Sequence, residues 1–156
     1  MTHGGSSVPE VQALLRVLAT GRRCAEIGTA CGERAAAMAE TAVSVVTVEL
    51  DPARAAVAAR RLARARNVEL LVGDWSEHLR GRGPFGLLFY DGGRPYDFDA
   101  AVDLLEAGGL LVKDDMTPGR PVAGDPVREA LLANPRFVAT ELRVTAEMAV
   151  IVAACR

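Results

Sequence analysis

The sequence predicts an α/β protein built on one mostly parallel sheet with helices on both faces. Short apolar runs rich in β-branched residues alternate with Ala-rich segments of helical spacing along most of the 156 residues. Only residues 145–147 separate the last two predicted strands, 137–144 and 148–154. A parallel crossover needs about a dozen residues, so these two strands form an antiparallel hairpin.

The remaining elements follow from the spacing of apolar residues and from the residues that typically start or end helices and strands. Apolar residues at helical spacing predict a helix over 8–20, which Gly21 ends, and Asp51 followed by Pro52 is a favoured helix start. The long Pro/Gly-rich loop at 117–126 has the composition of a segment that shapes a pocket. The predicted strands are 24–27, 43–48, 68–72, 85–90 and 110–115, and the predicted helices are 34–40, 52–65, a short one to Leu79, 96–107 and 126–133.

Composition narrows the class of protein. Half of the residues are hydrophobic, which suits one domain of ordinary size spanning residues 1–156. The net charge of -2 gives no overall basic field, and this argues against a nucleic-acid partner. One helix carries the only dense set of basic residues, which we interpret as a solvated face: Arg54, Arg60, Arg61, Arg64 and Arg66.

Three cysteines without a C-x-x-C pair predict neither a disulfide framework nor a zinc site. No apolar run reaches the roughly 20 residues that a membrane span requires. Residues 1–7 lack the charged and apolar regions of a signal peptide. We therefore expect a cytoplasmic protein without a membrane partner.

The pattern E-x-G-x-x-x-G lies between the first strand and its helix, with its glycines at Gly28 and Gly32. A dinucleotide fingerprint needs two further glycines where this chain has Ala30 and Glu33, so NAD and FAD are disfavoured. The second strand ends at Glu49, about 20 residues on, where nucleotide-binding sheets place an acid on ribose hydroxyls. The turn predicts a site for another nucleoside ligand.

Five motifs in order resemble those of the class I S-adenosylmethionine-dependent methyltransferases, in particular the small-molecule O-methyltransferases of the catechol and caffeoyl-CoA type. They are residues 26–32 (EIGTACG), 48–51 (VELD), 73–74 (GD), 89–94 (FYDGGR) and 108–115 (GGLLVKDD). The resemblance implies a Rossmann-like methyltransferase fold, with seven strands in the order 3-2-1-4-5-7-6 and the last one antiparallel. It covers nearly the whole chain.

The same resemblance implies the residues that hold S-adenosylmethionine. The glycines would bring the backbone to the methionine part, an acid would bind the ribose, and another would lie beside the adenine. Trp75 would stack on the base or belong to the core, and Arg34 would pair with the methionine carboxylate or lie at the surface. The implied cofactor-binding residues are Glu26, Gly28, Thr29, Gly32, Arg34, Glu49, Asp74, Trp75 and Asp91.

Three acids follow the fourth and fifth strands: Asp91, Asp114 and Asp115. In the resembled topology those strands are neighbours about 4.8 Å apart, so their carboxylates converge. Converging carboxylates repel one another unless a cation joins them, and oxygen ligands favour Mg²⁺. Neighbouring residues of a strand point to opposite faces, so Asp114 and Asp115 reach one ion only if the chain turns between them.

The family's usual lysine is replaced by Arg94, which stays protonated and cannot act as a general base. Lys113, the sole lysine, therefore has two interpretations. It is the general base, or its ammonium neutralises the acids in place of a metal. The candidate catalytic residues are thus Asp91 and Lys113.

We therefore predict an S-adenosylmethionine-dependent O-methyltransferase that acts on a hydroxylated small molecule with the help of a divalent cation. Two alternatives stay open, a tRNA-modifying methyltransferase and an S-adenosylmethionine-binding subunit without catalysis. The acidic pI of 5.7 counts against the first, and Arg94 keeps the second in play. A homodimer is the assembly that we leave open.

Overall fold

A computed structural model describes residues 8–92 and 96–156 of the chain. Within these residues seven strands form one sheet in the order β3-β2-β1-β4-β5-β7-β6. Neighbours from β3 to β5 are parallel, and β7 is antiparallel to both β5 and β6, which confirms the predicted topology and hairpin. The strands are β1 (Arg23–Ile27), β2 (Ser44–Glu49), β3 (Val68–Val72), β4 (Phe85–Tyr90), β5 (Leu105–Met116), β6 (Phe137–Arg143) and β7 (Ala149–Cys155).

Most of the described helices begin directly after a capping aspartate. The side chains of Asp51, Asp74 and Asp125 accept hydrogen bonds from backbone amides of the following turn, and proline opens three of the described helices. The described helices are α1 (Pro9–Ala19), α2 (Glu33–Ala39), α3 (Pro52–Leu62), α4 (Trp75–His78), α5 (Phe98–Val102) and α6 (Pro126–Leu132).

The central strand β4 divides the core into two layers. All six of its residues are buried, as expected for a parallel strand covered on both faces. Leu88 and Tyr90 pack in the cluster that contains apolar residues of α5 and α6. Leu87 and Phe89 point the other way, into the cluster formed with α1, α2 and α3. The fold is thus a three-layer α/β arrangement, and the carboxyl end of β4 lies at its middle.

The predicted helix over 96–107 was wrong at its C-terminal end. The helix α5 ends at Val102, and β5 already begins at Leu105, which pairs with Phe85 before a register shift. The backbone is tight at Gly109, where a Cβ atom would lie 2.8 Å from the Glu106 carbonyl oxygen. Strand pairing with β4 therefore overrides the helical pattern of this segment.

The other predicted boundaries agree with the structure within three residues. The helix α3 ends at Leu62 rather than Ala65, so Arg64 and Arg66 lie beyond it. None of the described helices has the length and apolar character that crossing a membrane would take.

Candidate active site

The loops after β1 and β4 touch at the point where strand order reverses. Gly28 has a φ of +89°, and a Cβ atom there would lie 2.6 Å from the Gly92 nitrogen. The amides of Asp91 and Gly92 both donate to the Ile27 carbonyl oxygen, at 3.0 and 2.9 Å. In open α/β sheets such a switch point forms the crevice in which ligands bind.

A cavity of about 590 Å³ opens at this crevice above β1, β2 and β3. Its volume lies within the usual range for small-molecule sites. Five of the implied cofactor-binding residues line it, together with Leu50, Arg54 and Ser76. These five are Gly28, Glu49, Asp74, Trp75 and Asp91.

Two acids of this cavity are held in place by backbone amides. Glu49 is 6% exposed, and its carboxylate accepts hydrogen bonds from the Ala30 amide at 2.8 Å and the Asp51 amide at 3.0 Å. Asp74 is exposed and accepts from the Ser76 hydroxyl at 2.6 Å and the Ser76 amide at 2.7 Å. The bonds from Ser76 hold the pKa of Asp74 below its ordinary value, so this carboxylate stays ionised.

Trp75 packs on the core, as one of its two interpretations expected, and its stacking on a bound base stays a prediction. It lines the cavity, and it also packs against the core with its ring edge on Tyr90, at a centroid distance of 5.6 Å. The core contact fixes the indole at the cavity wall.

Four implied cofactor-binding residues do not line this cavity: Glu26, Thr29, Gly32 and Arg34. Glu26 is fully buried and accepts from the Thr47 hydroxyl at 2.6 Å, and the Thr29 hydroxyl lies 2.5 Å from the same oxygen of Thr47. Gly32 has a φ of +82° at the start of α2. The side chains of Glu26, Thr29 and Arg34 form a polar layer behind the cavity wall, and contact of these four residues with the cofactor stays a prediction.

Arg34 is the centre of that layer. Nη2 donates to Asp91 Oδ2 at 2.6 Å and to the Gly28 carbonyl oxygen at 3.1 Å, and Nε donates to Glu26 Oε1 at 3.3 Å. Nη1 lies 3.8 Å from Asp114 Oδ2. At 4% exposure Arg34 is not the surface residue that one interpretation required. Burial alone would lower the pKa of Arg34, but the three acids raise it, so the guanidinium stays charged.

The acids that follow β4 and β5 do converge. One carboxylate oxygen from each of Asp91, Asp114 and Asp115 lies within 4.8 Å of the others. Asp115 has a φ of +59°, and the pairing of β5 with β7 is irregular here, so the chain makes the turn that a shared ion requires.

The residues present fit a hard divalent cation. Asp114 is 2% exposed, and its Oδ1 atom is buried without a hydrogen-bond partner within the described part of the chain. Burial, and then the charge of Asp91, raises the pKa of Asp114 to about 6. A buried orphan oxygen beside two further carboxylates is the donor set that Mg²⁺ prefers.

Lys113 lies inside the same group of charges. Its ammonium donates to the Asp114 carbonyl oxygen at 2.8 Å and lies 3.9 Å from Asp91 Oδ1 and 3.8 Å from Asp114 Oδ1. It is 3% exposed and lies 5.5 Å from the ring centre of Tyr96. The geometry accommodates both of its interpretations, as base and as counter-charge. Arg94, the residue that prompted them, lies outside the described residues.

A second cavity, of about 400 Å³, adjoins the acids on the side of β5 and α6. Asp91 lines both cavities and therefore lies where the two spaces meet. The loop predicted to shape a pocket contributes to this one. Its lining includes Tyr96, Lys113, Asp115, Met116, Thr117 and Arg120.

Arg128 of α6 also lines this second cavity, although the sequence did not predict it as a site residue. It is 1% exposed and binds Glu141 of β6 through Nε at 2.7 Å and Nη2 at 2.9 Å. Nη2 also donates to the Thr117 carbonyl oxygen at 2.6 Å, and Nη1 donates to Asp125 at 2.5 Å. The only local signal was Asp125 three residues before it, since Glu141 comes from another element.

Comparison with known proteins identifies the family of this chain. Residues 25–116 match the family model described as a methyltransferase domain. The chain belongs to the methyltransferase domain family. The match covers β1 to β5, which build the larger cavity and part of the smaller one, and it confirms the predicted class I S-adenosylmethionine-dependent methyltransferase resemblance.

Solved structures resemble this methyltransferase domain over almost its whole length. Cofactor-bound Rv0187 from MTB is 27% identical with a TM-score of 0.83, covering 97% of this chain and 82% of that one. The O-methyltransferase TomG from Streptomyces achromogenes, involved in tomaymycin synthesis and solved with SAM, is 25% identical. Its TM-score is 0.76, with 97% of this chain and 82% of that one covered.

Among curated proteins, the protein-L-isoaspartate O-methyltransferase of Methanoculleus marisnigri is 37% identical over 92 residues. The match spans 58% of this chain and 42% of that protein. A second isoaspartate methyltransferase, from Cytophaga hutchinsonii, is 29% identical over 65% of this chain and 46% of its own. The matched segments thus span less than half the length of these curated relatives.

Proposed function

We propose that the chain transfers the methyl group of S-adenosylmethionine to a hydroxyl oxygen of a small molecule, assisted by a divalent cation. The observation that carries this proposal is the position of Asp91, whose carboxylate lines both cavities and meets those of Asp114 and Asp115. A methyl donor in the larger cavity and an acceptor in the smaller one would meet at this side chain. The similarity to TomG, solved with SAM, supports the cofactor.

In this proposal the larger cavity holds the cofactor. Glu49 would bind the ribose hydroxyls, because its carboxylate is fixed at the cavity wall and keeps free lone pairs after accepting two amides. Asp74 would face the adenine, and Trp75 would cover the base from the wall. Glu26, Thr29 and Gly32 act behind them by holding the loop after β1.

Mg²⁺ would be held by Asp91, Asp114 and Asp115. When bound, it lowers the pKa of a coordinated hydroxyl and fixes its direction. Arg34 holds Asp91 at 2.6 Å, so this carboxylate is oriented before any ligand arrives. Lys113 either takes the hydroxyl proton or balances the charge of the acids. As the base it would have to start as an uncharged amine, and as the counter-charge it is an ammonium; in both roles its Nζ atom lies beside Asp91 and Asp114.

Mass-spectrometric methyl transfer tests this proposal directly. The acceptors are a set of catechols, bulk tRNA and an isoaspartyl peptide, the last because curated relatives carry that name. We expect transfer to catechols, loss of at least 100-fold on chelation with EDTA, and recovery with Mg²⁺.

Other outcomes would contradict the proposal in distinct ways. Transfer that survives exhaustive chelation would make Lys113 the counter-charge of a metal-free acid cluster. Transfer to tRNA or the peptide alone would replace the acceptor class. Cofactor binding by calorimetry without transfer to any acceptor would support the subunit interpretation.

We also propose the cytoplasm as the compartment, supported by the three cysteines, all of which are free thiols.

A further inference from the structure

The loop between β5 and α6, residues 117–125, is fixed at both ends by one buried side chain. The guanidinium of Arg128 donates to the Thr117 carbonyl oxygen at its first residue and to the Asp125 carboxylate at its last. Its other bonds reach Glu141 in β6, which ties the loop to the sheet. The middle of the loop is exposed, but its base cannot shift without breaking charge-assisted hydrogen bonds.

This loop carries Arg120 to the wall of the smaller cavity, where it differs from the other cations. Lys113 is engaged by the Asp114 carbonyl oxygen and the nearby carboxylates, and Arg128 is engaged by two carboxylates and a carbonyl. Arg120 is exposed, and no partner for its guanidinium occurs among the residues that the structure describes. Its planar fork of donors is thus available to a ligand.

The cavity lining therefore offers both acids and an available guanidinium. Asp91 and Asp115 lie on the side where the proposed cation and the reacting hydroxyl would be placed. Arg120 lies in the loop that leads away from these acids. Guanidinium groups bind carboxylate and phosphate oxygens through paired hydrogen bonds, a geometry that a neutral substituent does not match. A volume of about 400 Å³ is near the lower limit for small-molecule sites and suits an acceptor with a single ring.

We propose that Arg120 selects acceptors that carry an anionic group, a carboxylate or a phosphate-like group, in addition to the hydroxyl that is methylated. This inference rests on the proposed function and names its substrate class. Arg120 acts in binding and not in the chemical step, so it affects the Michaelis constant and leaves the turnover number nearly unchanged.

Matched acceptors test this assignment. Methyl transfer is measured for 3,4-dihydroxybenzoate, its neutral counterpart 3,4-dihydroxybenzamide, and 3,4-dihydroxyphenylphosphonate, which distinguishes the carboxylate from the phosphate-like anion. We expect the KM of at least one anion to be about fivefold to tenfold below that of the amide. Arg120→Gln should abolish this difference by raising the KM of the anion alone, because only the anion loses a charge-assisted bond.

Two variants serve as controls. Arg120→Lys keeps the charge but not the fork and should retain part of the preference. Arg80→Gln removes an exposed arginine that lines neither cavity and should leave every KM unchanged. Equal KM values for anions and amide in the unmodified protein, or a preference that survives Arg120→Gln, would overturn the inference. Absence of transfer to all three acceptors would instead overturn the proposed function and this inference with it.

Discussion

Arg34 and Arg128 are both almost fully buried, and both are held by carboxylates. The two arginines differ in the direction in which the pKa values of the neighbouring acids are shifted. Around Arg128, burial raises the pKa of Asp125, but hydrogen bonds from the backbone and side chain of Arg128 outweigh it and the net pKa is lowered. Around Arg34, burial raises the pKa of Glu26 to about 7 and that of Asp114 to about 6 despite the guanidinium. The acids around Arg128 are therefore stabilised in their charged form and form the satisfied group, whereas the buried acids around Arg34 are not.

The difference comes from the number of acids and from their exposure. Arg128 meets Asp125 and Glu141, whose side chains are 20% and 21% exposed, so water shares the charge. Around Arg34 and Lys113 four carboxyl groups meet two cations, and those of Glu26 and Asp114 are almost inaccessible. Unbalanced buried charge is costly, and it is typical of functional sites rather than of structural ion pairs.

Removing each guanidinium should give the largest effect and separate the two groups. We expect Arg34→Met to lower the free energy of unfolding by about 3 to 5 kcal/mol, because it leaves Glu26 buried without its counter-charge and Asp114 with Lys113 alone. Arg128→Met should cost about 1 to 3 kcal/mol, because its partners can hydrate. Urea unfolding in the absence of divalent cations measures both.

The matched control is Arg16→Met, which breaks an exposed pair with Glu40 and should change the free energy of unfolding very little. Equal losses for Arg34→Met and Arg128→Met would show that the two groups do not differ in the way described.

The pH dependence of stability should sharpen the contrast. The pKa of Glu26 is about 7 in the folded chain against 4.5 for an unperturbed glutamate, so the folded state binds its proton more tightly. The stability that this proton contributes is complete below pH 4.5 and is lost as the pH rises towards 7. Glu26→Gln should therefore flatten the fall in unfolding free energy across this window, by about 2 to 3 kcal/mol.

Urea titrations at several pH values in EDTA would show this effect. Asp125→Asn, in the satisfied group, should not flatten the same window, because its pKa is lowered and its contribution is lost only under more acidic conditions. An unchanged slope in Glu26→Gln would mean that Glu26 stays ionised and fully paired with Arg34.

The smallest expected effects concern ligands. Arg128→Lys should raise the acceptor KM about fivefold and leave affinity for S-adenosylhomocysteine unchanged, because its bonds reach the loop beside the smaller cavity and β6 but no residue of the larger cavity. Arg34→Lys should affect both ligands, since Arg34 binds Asp91 and the Gly28 carbonyl oxygen. Calorimetry and steady-state kinetics give the two quantities, and a cofactor affinity that falls equally in both variants would refute the division.

The sheet could be predicted because its signals are local. Each strand up to β4 is a short apolar run bounded by turn residues, and the hairpin follows from the three residues between its strands. The start of β5 could not be predicted, because Leu105 fits the apolar spacing of a helix as well as that of a strand. Its pairing with Phe85 is a contact between segments twenty residues apart.

The site was predictable in its acids but not in its arginines. Asp91, Asp114 and Asp115 stand at strand ends, where topology alone brings them together. The placement of Arg34 depends on acids from β1, from the end of β4 and from β5, up to 80 positions away, and no periodicity encodes such a convergence. Arg128 likewise depends on Glu141, which β6 brings to it.

The contact between Gly28 and Gly92 restricts how this site can diversify. A side chain at Gly28 would meet the Gly92 backbone at 2.6 Å, and one at Gly92 would meet the Gly28 Cα atom at 2.9 Å. Neither position tolerates even a methyl group without separating the loops that follow β1 and β4. Descendants of this chain that acquire new ligands must therefore change elsewhere around the crevice. The exposed Leu50 and Arg54 on one side, and the exposed middle of the 117–125 loop on the other, make no such backbone contact and leave room for variation.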